Sequence, residues 1–176
     1  MKTTLHSLLL LLTLALAGCA TAPHPHRSAH QTTELIQSNG GIVLTGGQRL
    51  VTPSTFHPPV EITIVAKTDF SNLRIGYTAD QVIFNWEMEA DQLRVDGGPA
   101  NGCHQTGAGR IPIGKFVTIR WLVTPHHEAI YVDGALRFEH HGDYSDINKA
   151  VSVFTAAGSK VTVKSLKVKP LIRATP

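Results

Sequence analysis

The acidic run at residues 87–91 holds the side chains that hydrolysis of a sugar bond would need. Glu87, Glu89 and Asp91 alternate, so on one extended strand all three would project from the same face. Retaining cleavage of a glycosidic bond uses two carboxyls about 5–5.5 Å apart, one as nucleophile and one as acid/base. Glu87 and Glu89 are therefore the candidate catalytic pair. Ala90-Asp91-Gln92 reads as a turn that removes Asp91 from the row, and Trp86 falls on the opposite face, away from any sugar beside the carboxyls. A solvated, acidic strand end accounts for the same residues without catalysis.

The polar face can also bind without reacting. With Val82, Phe84, Trp86, Ile119, Trp121 and Val123 packed inward, Asn85, Glu87, Thr118 and Arg120 face outward together. Arg74 joins them because Leu73, Ile75 and Tyr77 take the core side, and Asp96 and His104 lie at a rim. Planar amides, carboxylates and guanidinium groups offer the paired donors and acceptors that hydroxyl-rich ligands need. The candidate binding set is thus Arg74, Asn85, Glu87, Asp96, His104 and Arg120, although any solvent-facing sheet shows similar polarity.

Ten histidines call for an account. A two-residue turn at Asp133-Gly134 sets His127 opposite His140 and His126 opposite His141, with Asp143 close behind. Imidazole suits zinc, copper and nickel. Adjacent residues on a strand point to opposite faces, so only His127 and His140 share a side as metal candidates. The same register opposes Glu128 to Glu139, a like-charge pair. Two ligands make a weak metal site, a wet and mildly basic rim is the alternative, and no cofactor is expected.

The N-terminus sets the address. Lys2 precedes an apolar stretch from Leu8 to Ala17, ten residues long, too short for a hydrocarbon core of about 30 Å. Residues 1–18 read as a cleaved signal. Leu16-Ala17-Gly18-Cys19 resembles the lipobox of bacterial lipoproteins, which implies acylation of Cys19 and a membrane anchor. By resemblance to Gram-negative sorting rules, which do not apply to a Gram-positive cell, Ala20 in place of Asp implies an outer-membrane lipoprotein facing the periplasm or the cell surface. Residues 19–38, with Pro23, His24, Pro25, His26 and His30, show no periodicity and read as the lipidated cysteine and a flexible linker. Cys103, in a Gly-rich loop, is left without an intrachain partner, and no C-x-x-C occurs.

Composition bounds the rest of the chain. Its 176 residues are 42% hydrophobic and 16% charged, with mean hydropathy +0.01. These values exclude a disordered tail, a collagen-like chain and a multi-span membrane protein. The net charge of +3 comes from scattered Lys and Arg, which argues against a nucleic-acid partner. Serine-hydrolase, Walker, dinucleotide and His-Glu-x-x-His signatures are missing.

The elements that must position these groups are strands. Runs rich in Val, Ile, Thr and aromatics recur between Gly, Pro, Asn and Asp clusters. They predict strands near 42–44, 48–52, 60–68, 72–77, 81–89, 92–96, 116–124, 129–132, 135–139, 150–155 and 160–169. The slip at Ser165-Leu166 in the last run predicts a bulge. Period two with one apolar face predicts two antiparallel sheets packed face to face over residues 39–172.

One hairpin is legible in detail: Ala129-Ile130-Tyr131-Val132, the type I′ turn pair Asp133-Gly134, then Ala135-Leu136-Arg137-Phe138. Preceded by the strand carrying Trp121 and Val123, this order resembles the concanavalin A-like lectin/glucanase superfamily, including laminin G-like domains. The resemblance implies an all-β jelly-roll sandwich with one concave sheet, and a glycan site on that sheet or its rim loops. The family 16 glucanases of this superfamily carry Glu-x-Asp-x-(x)-Glu on one strand, from which Glu-x-Glu-x-Asp departs. The function expected is that of a membrane-anchored lipoprotein binding carbohydrate or another envelope component. The alternatives are a structural or assembly lipoprotein binding protein partners, and a glycoside hydrolase using Glu87 and Glu89.

Overall fold

Alternating apolar and polar residues build two six-stranded antiparallel sheets in the computed structural model, which describes residues 32–171. With strands numbered along the chain, the first sheet runs β1 (Glu34–Thr45), β12 (Lys160–Pro170), β3 (Val60–Thr68), β8 (Val117–Thr124), β9 (His127–Val132) and β10 (Ala135–His141). The second runs β2 (Arg49–Val51), β11 (Ser152–Phe154), β4 (Leu73–Gly76), β5 (Gln81–Phe84), β6 (Gln92–Asp96) and β7 (Gln105–Thr106). There is no α-helix among the described residues. The signal, Cys19 and residues 20–31 of the expected linker lie outside them.

The core lies between the sheets. β3 alternates without a break, with Val60, Ile62, Ile64 and Ala66 at 0% exposure. From the second sheet Leu73, Ile75, Val82, Phe84, Leu93 and Val95 meet them. Burying such side chains supplies the main drive for folding, about 25 cal/mol per Å² of apolar surface. Trp121 of β8 and Tyr77 meet edge to face, centroids 6.2 Å apart at 88°, the arrangement that ring quadrupoles prefer.

Glu128 of β9 is the unexpected core residue. Only 1% exposed, it accepts hydrogen bonds at Oε2 from Thr78 Oγ1 (2.6 Å) and Trp121 Nε1 (3.0 Å). It thereby ties the first sheet to the turn that follows β4. Burial raises its carboxyl above the usual glutamate range, partly offset by donation from Thr78, Tyr144 and Trp121. The Tyr144 hydroxyl also meets His140 Nδ1 at 2.7 Å.

Irregularities decide which side chains share a face. The expected bulge in β12 is present, because pairing with β3 skips from Val163 to Ser165 and leaves Lys164 over. The Asp133-Gly134 turn has positive φ at both residues, 49° and 84°, as its type demands. Three expectations need correction. β1 starts at Glu34, and Glu34 to Gln37 pair with β12 before a shift around Gly41, so the last part of the expected linker belongs to the sheet. The strand expected over 81–89 ends at Phe84, because Asn85 takes φ 49°. β10 carries a bulge at Arg137, and the short β7 carries too few residues to show a period.

Candidate functional site

The outer face of the second sheet holds a connected polar network. Arg74 projects from β4 with its side chain 18% exposed. Its Nη2 donates to Asn72 Oδ1 (2.9 Å) and its Nη1 to Gln81 Oε1 (2.9 Å), and Nη2 lies 3.6 Å from Glu87 Oε1. Gln81 Nε2 and Arg94 Nε each donate to Asp96 Oδ2 at 2.8 Å. Burial alone would raise the Asp96 carboxyl, but the Arg94 and Gln81 hydrogen bonds outweigh it and hold it below the usual range. The Arg94 guanidinium then stacks on Trp86, 4.4 Å from the ring centroid, a cation–π contact. Glu87, Arg74, Gln81, Asp96, Arg94 and Trp86 therefore form one chain of fixed, planar groups.

Trp86 also borders an open groove of about 790 Å³ beyond the end of β5. Glu87, Asp91 and Arg110 supply its polar wall, and Ile113 and Phe70, 57% and 69% exposed, supply an apolar one. Asp91 and Arg110 pair loosely at 3.9 Å. The groove's inner lip is set by Asn85, whose Nδ2 donates to Ile111 O while its Oδ1 accepts from Ile111 N, both at 2.9 Å. Gly109 lets the 107–111 loop lie against β6, since a Cβ there would overlap the Gln92 backbone. Arg137, turned by its bulge, reaches the carbonyls of Ala108 and Arg110 at 3.5 and 3.4 Å. An aromatic ring beside a carboxylate and a guanidinium can bind a sugar ring by stacking and paired hydrogen bonds.

Of the expected binding residues, Arg74, Glu87 and Asp96 come together on this face. Asn85 does not join them: it is 3% exposed and its amide is spent on Ile111. Arg120 sits on the outer face of the first sheet, across the sandwich from Arg74, paired with Glu61 Oε2 at 2.8 Å. It faces away because consecutive strands of a sandwich can belong to different sheets, so matching inside-outside patterns do not mean a common surface. His104 is exposed at the sheet's edge, where Nδ1 accepts the Val95 amide at 3.1 Å and extends the β6 ladder.

The strand that would align the candidate catalytic pair, Glu87 and Glu89, does not form. The left-handed turn at Asn85 ends the alternation, leaving Glu87, Met88 and Glu89 exposed in a turn closed by Glu89 N to Trp86 O (3.2 Å). Glu87 lines the groove, whereas Glu89 bonds Gln92 Nε2 at 3.3 Å outside it. The same turn brings Trp86 to the groove rather than to the opposite face. Trp86 was misplaced by strand reasoning for this reason, and Asn85, a residue type enriched in the left-handed region, was the one local signal of the turn. Arg94 and Arg110 gain their place at Trp86 and the groove only through folding.

The histidine register is also shifted. The bulge at Arg137 moves the pairing by one residue, so His127 faces His141 and His140 faces Glu128. The rings of His127 and His141 stand 4.6 Å apart, and His140 is bonded to Tyr144. Glu139 lies opposite Ala129 and contacts His127 Nε2 at 3.7 Å, which removes the like-charge pair. Among the described residues no three His, Cys, Asp or Glu gather as a metal site. Cys103 is exposed with no disulfide.

No protein-family profile matches the chain, and no curated protein matches it in sequence. Solved structures do match in shape. The exoplasmic/lumenal domain of VIP36, in a Ca2+/Man-bound form, aligns over 82% of this chain and 83% of its own at TM-score 0.56 and 9% identity. An endo-β-1,3-glucanase from Pyrococcus furiosus aligns over 78% and 77% at 0.52 and 13% identity. Galectin LEC-6 from Caenorhabditis elegans aligns over 72% and 95% at 0.51 and 12% identity. The fold is the concanavalin A-like jelly roll. At such identities the likeness speaks for architecture, and within it the arginine network occupies the outer face of one jelly-roll sheet.

Proposed function

We propose that this concanavalin A-like protein is a carbohydrate-binding lipoprotein of the bacterial envelope, with its sugar site at the Trp86 groove and the adjoining sheet face. The observation that carries this reading is Trp86, backed by Arg94 and bordering a groove with Glu87, Asp91 and Arg110. A rigid aromatic with charged planar groups beside it supplies apolar contact for a sugar ring and donors and acceptors for its hydroxyls. The names of the structural neighbours, a glucanase, a galectin and a Man-bound domain, support the same ligand class. Glu89 outside the groove favours binding over hydrolysis by the Glu87/Glu89 pair. The lipobox resemblance at Cys19 supports an outer-membrane anchor, with the domain facing the periplasm or the surface.

A glycan array probed with the full chain tests the reading. Trp86→Ala should lower retention of every array hit about tenfold, measured at a temperature where the variant's own melting curve shows it folded, since the ring is partly buried and packs on Arg94. Unchanged retention by Trp86→Ala would overturn the site.

A further inference from the structure

Strand pairing sets Arg49, Phe154, Arg74, Ile83 and Arg94 in one row across the outer face of the second sheet, one residue per strand from β2 to β6. With about 4.8 Å between strands, an arginine recurs about every 10 Å, comparable with the repeat of a disaccharide. The three arginines differ in their partners. Arg74 is held by Asn72, Gln81 and Glu87, and Arg94 by Asp96. Among the described residues no carboxylate pairs with Arg49. Its guanidinium rests on the Phe154 ring, 3.7 Å from the centroid, and Nη1 donates to Ser152 Oγ at 3.1 Å.

Arg49 borders a second, smaller pocket of about 290 Å³ on the same face, shared with Lys149, Ser152 and Asp80. Its floor is bare backbone at Gly76, where a Cβ would come within 2.9 Å of Ser152 Oγ and 3.1 Å of the Asp80 carbonyl. Lys149 Nζ lies 3.8 Å from Asp80 Oδ1, with side chains 51% and 78% exposed. An exposed pair of this kind holds weakly, so an incoming anion can take the ammonium from Asp80. The pocket thus offers a guanidinium fork, an ammonium and a hydroxyl against a single solvated carboxylate. Bidentate pairing with carboxylate or sulfate oxygens is what such a fork does best.

We propose that this pocket is an anion subsite, and that the ligand is an acidic polysaccharide lying along the arginine row from Trp86 to Arg49. A carboxylate or sulfate substituent would sit between Arg49 and Lys149. The inference rests on the carbohydrate reading and adds the charge class of the sugar and a second point of contact.

Affinity electrophoresis of the full chain in gels containing alginate, dextran sulfate or neutral laminarin tests it. Wild type should be retarded by alginate or dextran sulfate, and the arm that binds tells carboxylate from sulfate. Arg49→Met/Lys149→Met should lose about tenfold or more of that affinity, while any retardation by laminarin stays unchanged. The control Lys167→Met/Lys169→Met, on β12 of the other sheet, should keep the acidic-glycan affinity. Equal loss in the control would reveal nonspecific charge attraction and overturn the subsite. Retardation by laminarin alone, or an unaffected Arg49/Lys149 variant, would overturn the subsite and leave the carbohydrate reading standing. No retardation in any gel would overturn both.

Discussion

Replacing Glu128 by alanine should destabilise the domain by about 2–4 kcal/mol. Two donors buried from solvent lose their acceptor: the Trp121 indole N–H, on a residue 0% exposed, and the Thr78 hydroxyl, on a residue 1% exposed. Each orphaned buried donor costs about 1–3 kcal/mol. Tyr144 loses less, because His140 Nδ1 remains beside its hydroxyl. Relief of a buried carboxylate offsets part of the sum, which is why the expected total falls below two full penalties. For a domain of this size the change lowers Tm by about 6–15 °C. Glu128→Gln keeps an oxygen for Trp121 and Thr78 and should stay within about 1 kcal/mol of wild type.

The pH dependence separates charge from shape. Burial makes the folded chain hold the Glu128 proton more tightly than the unfolded chain does. Its contribution to stability is therefore fullest below the ordinary glutamate value of 4.5 and is lost as pH rises through the folded-state value. Wild type should lose Tm relative to Glu128→Gln as pH rises from that value, in differential scanning calorimetry. An alanine variant melting within about 2 °C of wild type, or parallel pH curves for wild type and Gln, would refute the account. Thr78 adjoins Tyr77 and Ala79, which wall the Arg49 pocket, so the same variant should also weaken acidic-glycan retention.

Asn85→Ala should cost about 2–4 kcal/mol by denaturant titration, since it orphans both Ile111 backbone groups and leaves alanine at positive φ; a variant as stable as wild type would remove Asn85 as the groove's lip. Cys19→Ser should move the expressed chain from the detergent phase to the aqueous phase in phase partitioning; wild-type protein found in the aqueous phase would refute the anchor.

Strand rhythm was legible along the chain because the period-two pattern is a local consequence of burying one face of a sheet. β3 and β6 appear with the limits expected, and the β12 bulge follows from a visible slip in alternation. The Asp133-Gly134 turn was legible because Asp and Gly tolerate positive φ and few other pairs do. Arg74 was legible as outward-facing for the same local reason, because Leu73 and Ile75 beside it take the core side.

Three-dimensional packing decided the rest. Whether Arg120 shares a face with Arg74 depends on which sheet each strand joins, and pairing between distant strands carries no mark in either segment. One left-handed residue, Asn85, turned Trp86 into the groove, and one extra residue, Arg137, moved His140 from His127 to Glu128. Such single-residue shifts hardly alter hydrophobic periodicity, yet each changes which groups the neighbouring side chains meet. The row from Arg49 to Arg94 draws its members from five strands spread between residues 49 and 154, so only closure of the sheet, with its fixed strand spacing, brings those charges side by side.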